Sequence, residues 1–545
     1  MISFEDVSVT YPDEERPALD HVDLKIGEGE LALVIGPTGA GKSTLLRSVN
    51  GLVPHFSGGR LTGRVLVEGR STADHRPRDL ADVVGFVGQD PDASFVADIV
   101  EDELAYGMEN LGLGAATMRR RVEDVLDILN LHPLRQRTIT TLSGGQRQRV
   151  AIGAVLTAAP RLLVLDEPTS SLDPISAEEV LAALSRLVHD QGVTILVAEH
   201  RLERIVHAAD VIVYVPASGA GVRSGPPAEI LAHSAVAPPI VRLAQLAGWD
   251  PVPLSVRDAR RVAPGLRSRL SDRPPDDDRP GPGGPALATV RRLSARYGRL
   301  LALEDVDLAL GAGEVTAVMG RNGAGKSTLL RYLVGLRAPQ QGTVTVADRQ
   351  PSSLRPAQAA RIVGLVPQDP ASLLGADTVG AECADADHDA DLPAGATRAT
   401  LERLMPELSD DIHPRDLSEG QRLALALAIV LAPAPPLILL DEPTRGLDYT
   451  AKARLTALLR TLAAEGHAIV IATHDVELVA EAADRVVVLA DGELISDGPT
   501  RDVVCHSPGL APQVARILAP APWLTVAEVA SALPTAGPVG DRSHV

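Results

Sequence analysis

The feature that most constrains the fold is a glycine-rich stretch that occurs twice. GPTGAGKST runs from Gly36 to Thr44, and GRNGAGKST runs from Gly320 to Thr328. Each stretch follows a short apolar run and precedes an apolar-periodic segment, which is the context in which GxxxxGK[ST] forms a phosphate-binding loop. The glycines let backbone N–H groups turn inward around phosphates, and the following helix adds its dipole. The sequence therefore predicts two nucleotide sites on one chain.

The repetition extends well beyond these loops. The loops begin 284 residues apart, LSGGQ and LSEGQ lie 275 apart, and the two DEPT stretches also lie 275 apart. His200 and His474 differ by 274 residues. So do the only tryptophans, Trp249 and Trp523. The order is kept and the spacing drifts little, which indicates duplication of a whole domain.

Composition narrows the class of protein. The formal charge of −19 argues against sequence-independent binding to nucleic-acid backbones. Cys383 and Cys505 are far apart and lack ligand spacing, so we expect neither a metal cluster nor a disulfide framework. The N-terminus lacks the form of a signal peptide, and no apolar run approaches the ~20 residues that span a bilayer. We expect a cytosolic protein that acts at a membrane only through partners.

Within each repeat the apolar runs indicate buried strands that alternate with helices, as in a largely parallel sheet. The loop lysine is expected to reach the β- and γ-phosphates and the following serine to bind Mg²⁺. An aspartate at a strand end can hold Mg²⁺ through water, and the glutamate after it can activate the attacking water. These groups are Lys42, Ser43, Asp166 and Glu167 in the first repeat and Lys326, Ser327, Asp441 and Glu442 in the second.

With these motifs the chain resembles the ATP-binding cassette (ABC) ATPases over nearly its whole length. LSGGQ at 142–146 and LSEGQ at 417–421 are similar to the family's signature, which is highly specific in combination with the phosphate loop and DEPT. The resemblance implies, in each repeat, a Q-loop glutamine that binds ATP and Mg²⁺, a D-loop aspartate, a histidine at the γ-phosphate and an aromatic ring on adenine. These residues are Gln89 and Gln368, Asp173 and Asp448, His200 and His474, and Tyr11 and Tyr297.

In this family ATP is sandwiched between the phosphate loop of one domain and the signature of the other. The resemblance implies that Lys42, Glu167 and His200 face Ser418 and Gly420, and that Lys326, Glu442 and His474 face Ser143 and Gly145. Catalysis falls to Glu167, His200, Glu442 and His474. The remaining predicted nucleotide-binding residues are the loops Gly36, Pro37, Thr38, Gly39, Ala40, Gly41, Lys42, Ser43, Thr44 and Gly320, Arg321, Asn322, Gly323, Ala324, Gly325, Lys326, Ser327, Thr328.

The second repeat departs from the first in two places. Glu419 stands where the first signature has Gly144, which adds a carboxylate near the γ-phosphate. Arg-Gly at 445–446 replaces Ser-Ser at 170–171 in the D-loop region. We expect two working sites, of which the one that uses Lys42 turns over more slowly.

One segment indicates a subfamily. Residues 88–112 (GQDPDASFVADIVEDELAYGMENLG) resemble the segment after the Q-loop in ATPases of energy-coupling-factor (ECF) importers, which take up vitamins and metal ions. There it forms a groove for a coupling helix of the membrane subunit, and a solvated helix face is the alternative reading of its acids. The second copy keeps only the opening and departs after Leu374. The residues expected to line or flank the groove are Phe95, Asp98, Glu101, Asp102 and Glu103.

The helices around the two tryptophans resemble the C-terminal appendages by which ECF ATPases pair. We therefore predict an α/β fold of two P-loop NTPase domains in tandem, each with a helical subdomain and a small helical extension. The predicted spans are 1–235 (first ATPase domain), 236–262 (extension), 263–287 (Pro/Asp/Gly linker), 288–508 (second ATPase domain), 509–534 (extension) and 535–545 (tail).

The resemblance implies an ATP- and Mg²⁺-dependent ATPase at the cytoplasmic face of the membrane, partnered by transmembrane coupling and substrate-binding subunits. Two alternatives stay open. One is the ATPase of another importer, such as a sugar importer, although the second half of such tandem proteins typically carries weakened motifs. The other is a soluble tandem ABC protein acting on ribosomes, although those proteins join their units by a long, charged, helical linker.

Overall fold

The computed structural model describes residues 1–12, 14, 16–170, 172–217, 219, 221–271, 286–298, 300–406 and 408–533. Ser171, most of the predicted linker and the predicted tail lie outside these residues. The chain divides into two compact units. One comprises Met1–Pro238 with Gly446–Thr450, and the other comprises Pro239–Arg445 with the chain from Ala451 onward.

The strands of the first unit are β1 Ile2–Thr10, β2 Leu19–Ile26, β3 Leu31–Ile35, β4 Arg60–Val67, β5 Arg70–Ser71, β6 Val84–Val87, β7 Leu162–Asp166, β8 Thr194–Ala198, β9 Val211–Tyr214 and β10 Arg223–Gly225. An antiparallel sheet has the order β2-β1-β4-β5. A larger sheet has the order β10-β9-β3-β8-β7-β6, in which β10 pairs antiparallel and the others pair parallel. Strands β3, β7 and β8 are buried along their whole length. This burial is why they are continuous apolar runs rather than alternating ones.

The helices of the first unit are α1 Lys42–Val49, α2 Leu52–His55, α3 Val100–Asn110, α4 Ala115–Ile128, α5 Gly144–Leu156, α6 Pro174–Gln191, α7 Leu202–Ile205 and α8 Pro227–Ala232. Helices α3, α4 and α5 pack on one another and form a helical subdomain between β6 and β7. Helix α1 packs beneath the parallel sheet, with Leu45, Leu46 and Val49 fully buried.

The second unit repeats this plan. Its strands are β11 Ala286–Tyr297, β12 Leu300–Gly311, β13 Val315–Met319, β14 Gln341–Val346, β15 Val363–Val366, β16 Leu437–Asp441, β17 Ala468–Ala472, β18 Arg485–Ala490 and β19 Glu493–Pro499. The antiparallel sheet has the order β12-β11-β14. The larger sheet has the order β15-β16-β17-β13-β18-β19, parallel except for β19. The predicted α/β fold is confirmed in both repeats.

The helices of the second repeat surround this sheet and extend beyond it. The first extension contributes α9 Pro239–Ala247, α10 Val256–Val262 and α11 Pro264–Arg267. The helices of the second repeat are α12 Lys326–Leu333, α13 Pro356–Ala360, α14 Val379–Ala390, α15 Ala396–Leu404, α16 Glu419–Leu431, α17 Tyr449–Ala464, α18 Val476–Ala482, α19 Thr500–Cys505, α20 Gln513–Leu518 and α21 Val526–Ala532. Helices α14, α15 and α16 enclose their own apolar cluster. Among the described residues, none of these helices combines the length and apolarity that crossing a bilayer requires.

The helical extension of the first repeat belongs to the second compact unit, where it packs on the extension of the second repeat. The Ile240 amide donates to Gln513 Oε1 at 3.0 Å, and Arg260 Nε donates to the carbonyl of Arg516 at 2.6 Å. Trp523 is fully buried. Helix α11 continues the first extension past the predicted boundary at residue 262, because the Pro/Asp/Gly-rich composition begins only after it.

Candidate functional site

The two glycine-rich loops contain positions that only glycine accommodates. Gly41 has φ +95°, and a Cβ there would lie 2.3 Å from the carbonyl oxygen of Ala18. The equivalent Gly325 has φ +104°, and its Cβ would lie 2.5 Å from the carbonyl oxygen of Ala302. Both the left-handed conformation and the contact exclude a side chain. These glycines let the chain turn directly from β3 into α1 and from β13 into α12.

The loop lysines are buried and fold back over their own loops. Lys42 Nζ donates to the carbonyls of Gly36 and Pro37, both at 2.9 Å. Lys326 makes the equivalent bonds at 2.7 and 3.1 Å to the carbonyls six and five residues before it. Burial lowers the pKa of Lys42, and nearby carboxylates oppose that shift. A cation is thus held at the concave side of each loop, where an anion would bind.

Asp166 at the end of β7 is buried, and Asp441 at the end of β16 is half-buried. Burial raises the pKa of both carboxyls, and hydrogen bonds with Ser43 and Ser327 oppose the shift. Asp441 Oδ1 is buried without a hydrogen-bond partner among the described residues. A partnerless buried carboxylate oxygen beside a serine hydroxyl is the donor set that Mg²⁺ prefers, so these residues fit the ion.

The predicted bases and histidines are brought together in both repeats. Glu167 Oε1 lies 2.8 Å from His200 Nε2, and Gln89 Nε2 donates to Glu167 Oε2 at 3.4 Å. Glu442 Oε1 lies 2.9 Å from His474 Nδ1. Both glutamates adopt positive φ, +52° and +51°, which is uncommon outside glycine. The strained turn aims each carboxylate from the sheet edge toward its histidine.

The residue before each histidine was missed by sequence reasoning. Glu199 is 3% exposed, and its Oε1 accepts a hydrogen bond from the Thr169 amide at 2.8 Å. Burial, with a contribution from the charge of Glu167, raises the pKa of Glu199 to about 7. The second repeat has Thr473 here, and its Oγ1 donates to Glu442 Oε2 at 3.3 Å. The only sequence signal is the pair EH in one repeat against TH in the other.

The signature residues form the N-termini of α5 and α16. Ser143 Oγ accepts a hydrogen bond from the Gln146 amide at 3.3 Å, and Gln146 Oε1 accepts one from the Ser143 amide at 3.0 Å. Ser418 and Gln421 make the same reciprocal pair at 3.3 and 2.9 Å. The signature is therefore also a capping box. Sequence reasoning assigned the serines to phosphate and missed this structural role of the glutamines, which the S-x-x-Q spacing encodes.

Further signature positions are explained by packing and charge. A Cβ at Gly145 would lie 2.5 Å from Ser176 Cβ, so α5 approaches α6 only with glycine there. Gly420 occupies the first turn of α16. The carboxylate of Glu419 pairs with Arg422 Nη1 at 3.2 Å within the same turn. Its charge is thus partly balanced, although the expectation of a slower site stays a prediction.

The predicted adenine-stacking tyrosines have different surroundings. Tyr11 OH lies 3.1 Å from Thr44 Oγ1, which ties the ring to the phosphate-loop helix. In the second repeat the Arg337 guanidinium lies 4.5 Å from the centre of the Tyr297 ring. One face of Tyr297 is therefore covered, and adenine would need the other face.

The D-loop aspartates and the Q-loop glutamines have distinct positions. Asp173 caps α6 by accepting from the amides of Ile175 and Ser176, both at 3.1 Å. Asp448, which the contacts place in the first unit, accepts from the Thr38 amide at 2.7 Å. Gln89 and Gln368 are exposed residues just past β6 and β15.

The acidic run predicted to line a groove is only partly a surface feature. Glu103 is buried and accepts from the amides of Val96 and Ala97 at 2.9 and 2.7 Å. Glu101 pairs with Arg135, which lowers the pKa of Glu101. Only Asp98 and Asp102 of the run are exposed, as the solvated-face alternative expected. The carboxylate of Glu103 does not line a surface groove, because it accepts hydrogen bonds from the amides of the loop before α3, and the expectation that this run flanks a groove stays a prediction.

The second repeat keeps this arrangement beyond the point where its sequence diverges. Glu382 is buried and accepts from the amides of Gly375 and Ala376 at 2.5 and 2.6 Å. In both repeats the glutamate lies seven positions after the first of the two residues whose amides it binds. The second repeat therefore diverges in sequence after Leu374 but keeps this contact.

Comparison with known proteins identifies the family. The sequence profile of the ABC transporter family matches residues 19–170 and 303–445. A curated relative from Streptomyces coelicolor, named as an ABC transporter ATP-binding protein, is 59% identical over 98% of this chain and 100% of its own length. The chain belongs to the ABC transporter ATP-binding family. A similarly named protein of Methanosarcina mazei is 35% identical over 92% of this chain and 90% of its own.

Both halves of this ABC protein also match one solved tandem fold. The archaeal ribosome recycling factor aABCE1, solved with the ribosomal stalk protein aP1, covers 91% of this chain and 90% of its own, with a TM-score of 0.59 and 22% identity. At this identity the likeness shows the fold alone. The family match confirms the prediction of a tandem ABC ATPase that binds and hydrolyses ATP.

Proposed function

We propose that this ABC ATPase energises an importer of the ECF type from the cytoplasmic face of the membrane. The observation that carries the proposal is the pairing of the two helical extensions, α9 and α10 against α20 and α21, within the second unit. Appendages that pair in this way are what the sequence resemblance to ECF ATPases led us to expect. The cargo class would be a vitamin or a metal ion, selected by a separate membrane protein.

The catalytic proposal is that each repeat completes the ATP site of the other. The first site would combine Lys42, Glu167 and His200 with Ser418 and Gly420. Lysine and the capped signature helix would hold the γ-phosphate, and the glutamate would accept a proton from the attacking water. The second site would combine Lys326, Glu442 and His474 with Ser143 and Gly145.

Mg²⁺ would be held in the first site by Ser43 and Asp166, with Gln89. The second site offers Ser327 and Asp441 with Gln368, and the partnerless Asp441 Oδ1 supports this assignment. Held by these residues, Mg²⁺ would supply positive charge that neutralises part of the phosphate charge.

The membrane partner is proposed to dock beside the segment that Glu103 clamps. Val96 lies in this segment and is 62% exposed, and Phe95 beside it is half-buried. An exposed apolar side chain whose backbone is fixed by a buried carboxylate suits docking of an apolar helix face.

Photo-crosslinking tests this assignment. A photoreactive amino acid is placed at Val96 in the full chain, in its native host. The control position is Ile495 on β19, which is 60% exposed and therefore equally accessible. We expect an integral membrane protein to be captured from position 96 and not from position 495.

Mass spectrometry of the captured proteins separates the alternatives. Capture of small membrane subunits without a periplasmic binding-protein system supports the ECF type. Capture of the permease of a sugar importer, or of ribosomal proteins together with co-sedimentation on ribosomes, would contradict it.

A further inference from the structure

A buried carboxyl beside the turn that carries Glu167, at the end of β7, has no assigned role. Glu199 follows β8 directly and lies next to His200. We propose that Glu199 is a positioning residue of the first ATP site, holding the backbone turn that carries Glu167. The inference rests on the proposed role of Glu167 as the catalytic base.

The geometry supports a turn held at two points. The Glu167 amide donates to the carbonyl of Ala198 at 3.0 Å, and the Thr169 amide donates to the Glu199 carboxylate at 2.8 Å. Consecutive residues at the end of β8 therefore bind alternate amides of the turn. Because Glu167 sits at φ +52°, the turn needs such external bonds to keep its conformation.

In the second repeat the turn that carries the base Glu442 is held by partly different contacts. The Glu442 amide donates to the carbonyl of Ala472 at 2.8 Å, which matches the first repeat. Thr473 is too short to replace a glutamate carboxylate, and its hydroxyl instead donates to the carboxylate of Glu442 at 3.3 Å. The two repeats thus differ in one added contact: the Glu199 carboxylate binds the backbone of the turn in the first repeat, and the Thr473 hydroxyl binds the carboxylate of the base in the second. This difference makes the two ATP sites chemically unequal.

The test compares two variants of similar size in the full chain. Glu199→Met keeps the length of the side chain and suits a buried position but has no carboxyl oxygen. Glu199→Gln keeps an oxygen that can accept the bond from Thr169. Both are made in a chain that also carries Glu442→Gln, so that the ADP formed from radiolabelled ATP in a single turnover comes from the first site.

We expect Glu199→Met to slow ADP formation about tenfold, the loss typical of one buried hydrogen bond. Binding of a fluorescent ATP analogue should change less than about twofold, because the phosphate loop is untouched. Glu199→Gln should stay within about threefold of the parent chain. If the Met and Gln variants form ADP at the same rate, whether both match the parent chain or both are slower, the proposal is overturned.

A matched pair of variants tests Thr473 in the second repeat, and a control distinguishes the role of Glu199 from that of Glu167. In the Glu167→Gln chain, Thr473→Val should slow the second site, whereas Thr473→Ser, which keeps the hydroxyl, should not. If Glu167→Gln leaves the first site active, the assignment of the base fails. If that variant is inactive and Glu199→Met is normal, only the role of Glu199 fails.

Discussion

The titration of Glu199 should make the stability of the first unit depend on pH. Burial raises the pKa of this carboxyl from its ordinary value of 4.5 to about 7, and the charges facing it are those of Glu167 and Arg204. Between these pH values the native chain holds a proton that the unfolded chain releases. The free energy of unfolding therefore falls as pH rises from about 4.5 to about 7. Below that window the contribution is fully present.

The size of the effect follows from the two pKa values. A pKa difference of about 2.5 corresponds to ~3 kcal/mol, at 1.36 kcal/mol for each pKa unit. Most of this change falls between pH 5 and pH 8, so the expected loss over that interval is ~2–3 kcal/mol. The perturbation that removes it is Glu199→Gln, which occupies a similar volume and does not titrate.

The assay is urea unfolding of the wild-type and Glu199→Gln chains at pH 5 and pH 8. Far-UV circular dichroism is the suitable signal, because Trp249 and Trp523 both lie in the second unit. The free energy of unfolding of the variant minus that of the wild type should increase by ~2–3 kcal/mol from pH 5 to pH 8. Glu178→Gln, at an exposed position on α6, should show no such change. If the stability difference between the wild type and Glu199→Gln is the same at both pH values, Glu199 does not titrate with a raised pKa.

Three further outcomes are expected. Glu167→Gln and Glu442→Gln should each lower steady-state ATP hydrolysis, measured by phosphate release, by on the order of 100-fold or more. Unchanged turnover in Glu442→Gln would show that the second site does not work. Gly41→Ala should weaken ATP binding in the first repeat at least ~10-fold by calorimetry because its Cβ meets a carbonyl, whereas Gly39→Ala, which meets no atom within 4 Å, should weaken it less. Glu103→Ala should expose the segment before α3 to limited proteolysis several-fold faster while leaving ATP hydrolysis close to normal, and unchanged cleavage would argue against the clamp.

Much of the fold was predictable because its signals are local. The phosphate loop is specified by glycines whose conformation and close contacts, as at Gly41, exclude any side chain. Buried parallel strands such as β7 are continuous apolar runs because both faces are covered. The acids at their ends could be placed beside the loop because parallel strands end at one edge of a sheet.

The missed features depend on neighbours far apart in the chain. Glu103 looks like part of an acidic helix face, and only the fold brings its carboxylate to the loop amides. Glu199 is next to a histidine in the sequence, but its partner Thr169 lies thirty residues away. Gln146 was within reach of sequence reasoning, since S-x-x-Q is a known cap, but the signature motif suggested phosphate instead.

The most direct test of the central claim is to map where ATP is trapped. A chain with Glu167→Gln and Glu442→Gln should retain two molecules of a photoreactive ATP analogue, one attached to each repeat. Adding Ser418→Arg to that chain blocks the second signature. Labelling should then be lost from the first repeat, which contains Lys42, and kept in the second. Loss from the second repeat instead, or one trapped nucleotide per chain at the outset, would contradict the claim that each repeat completes the site of the other.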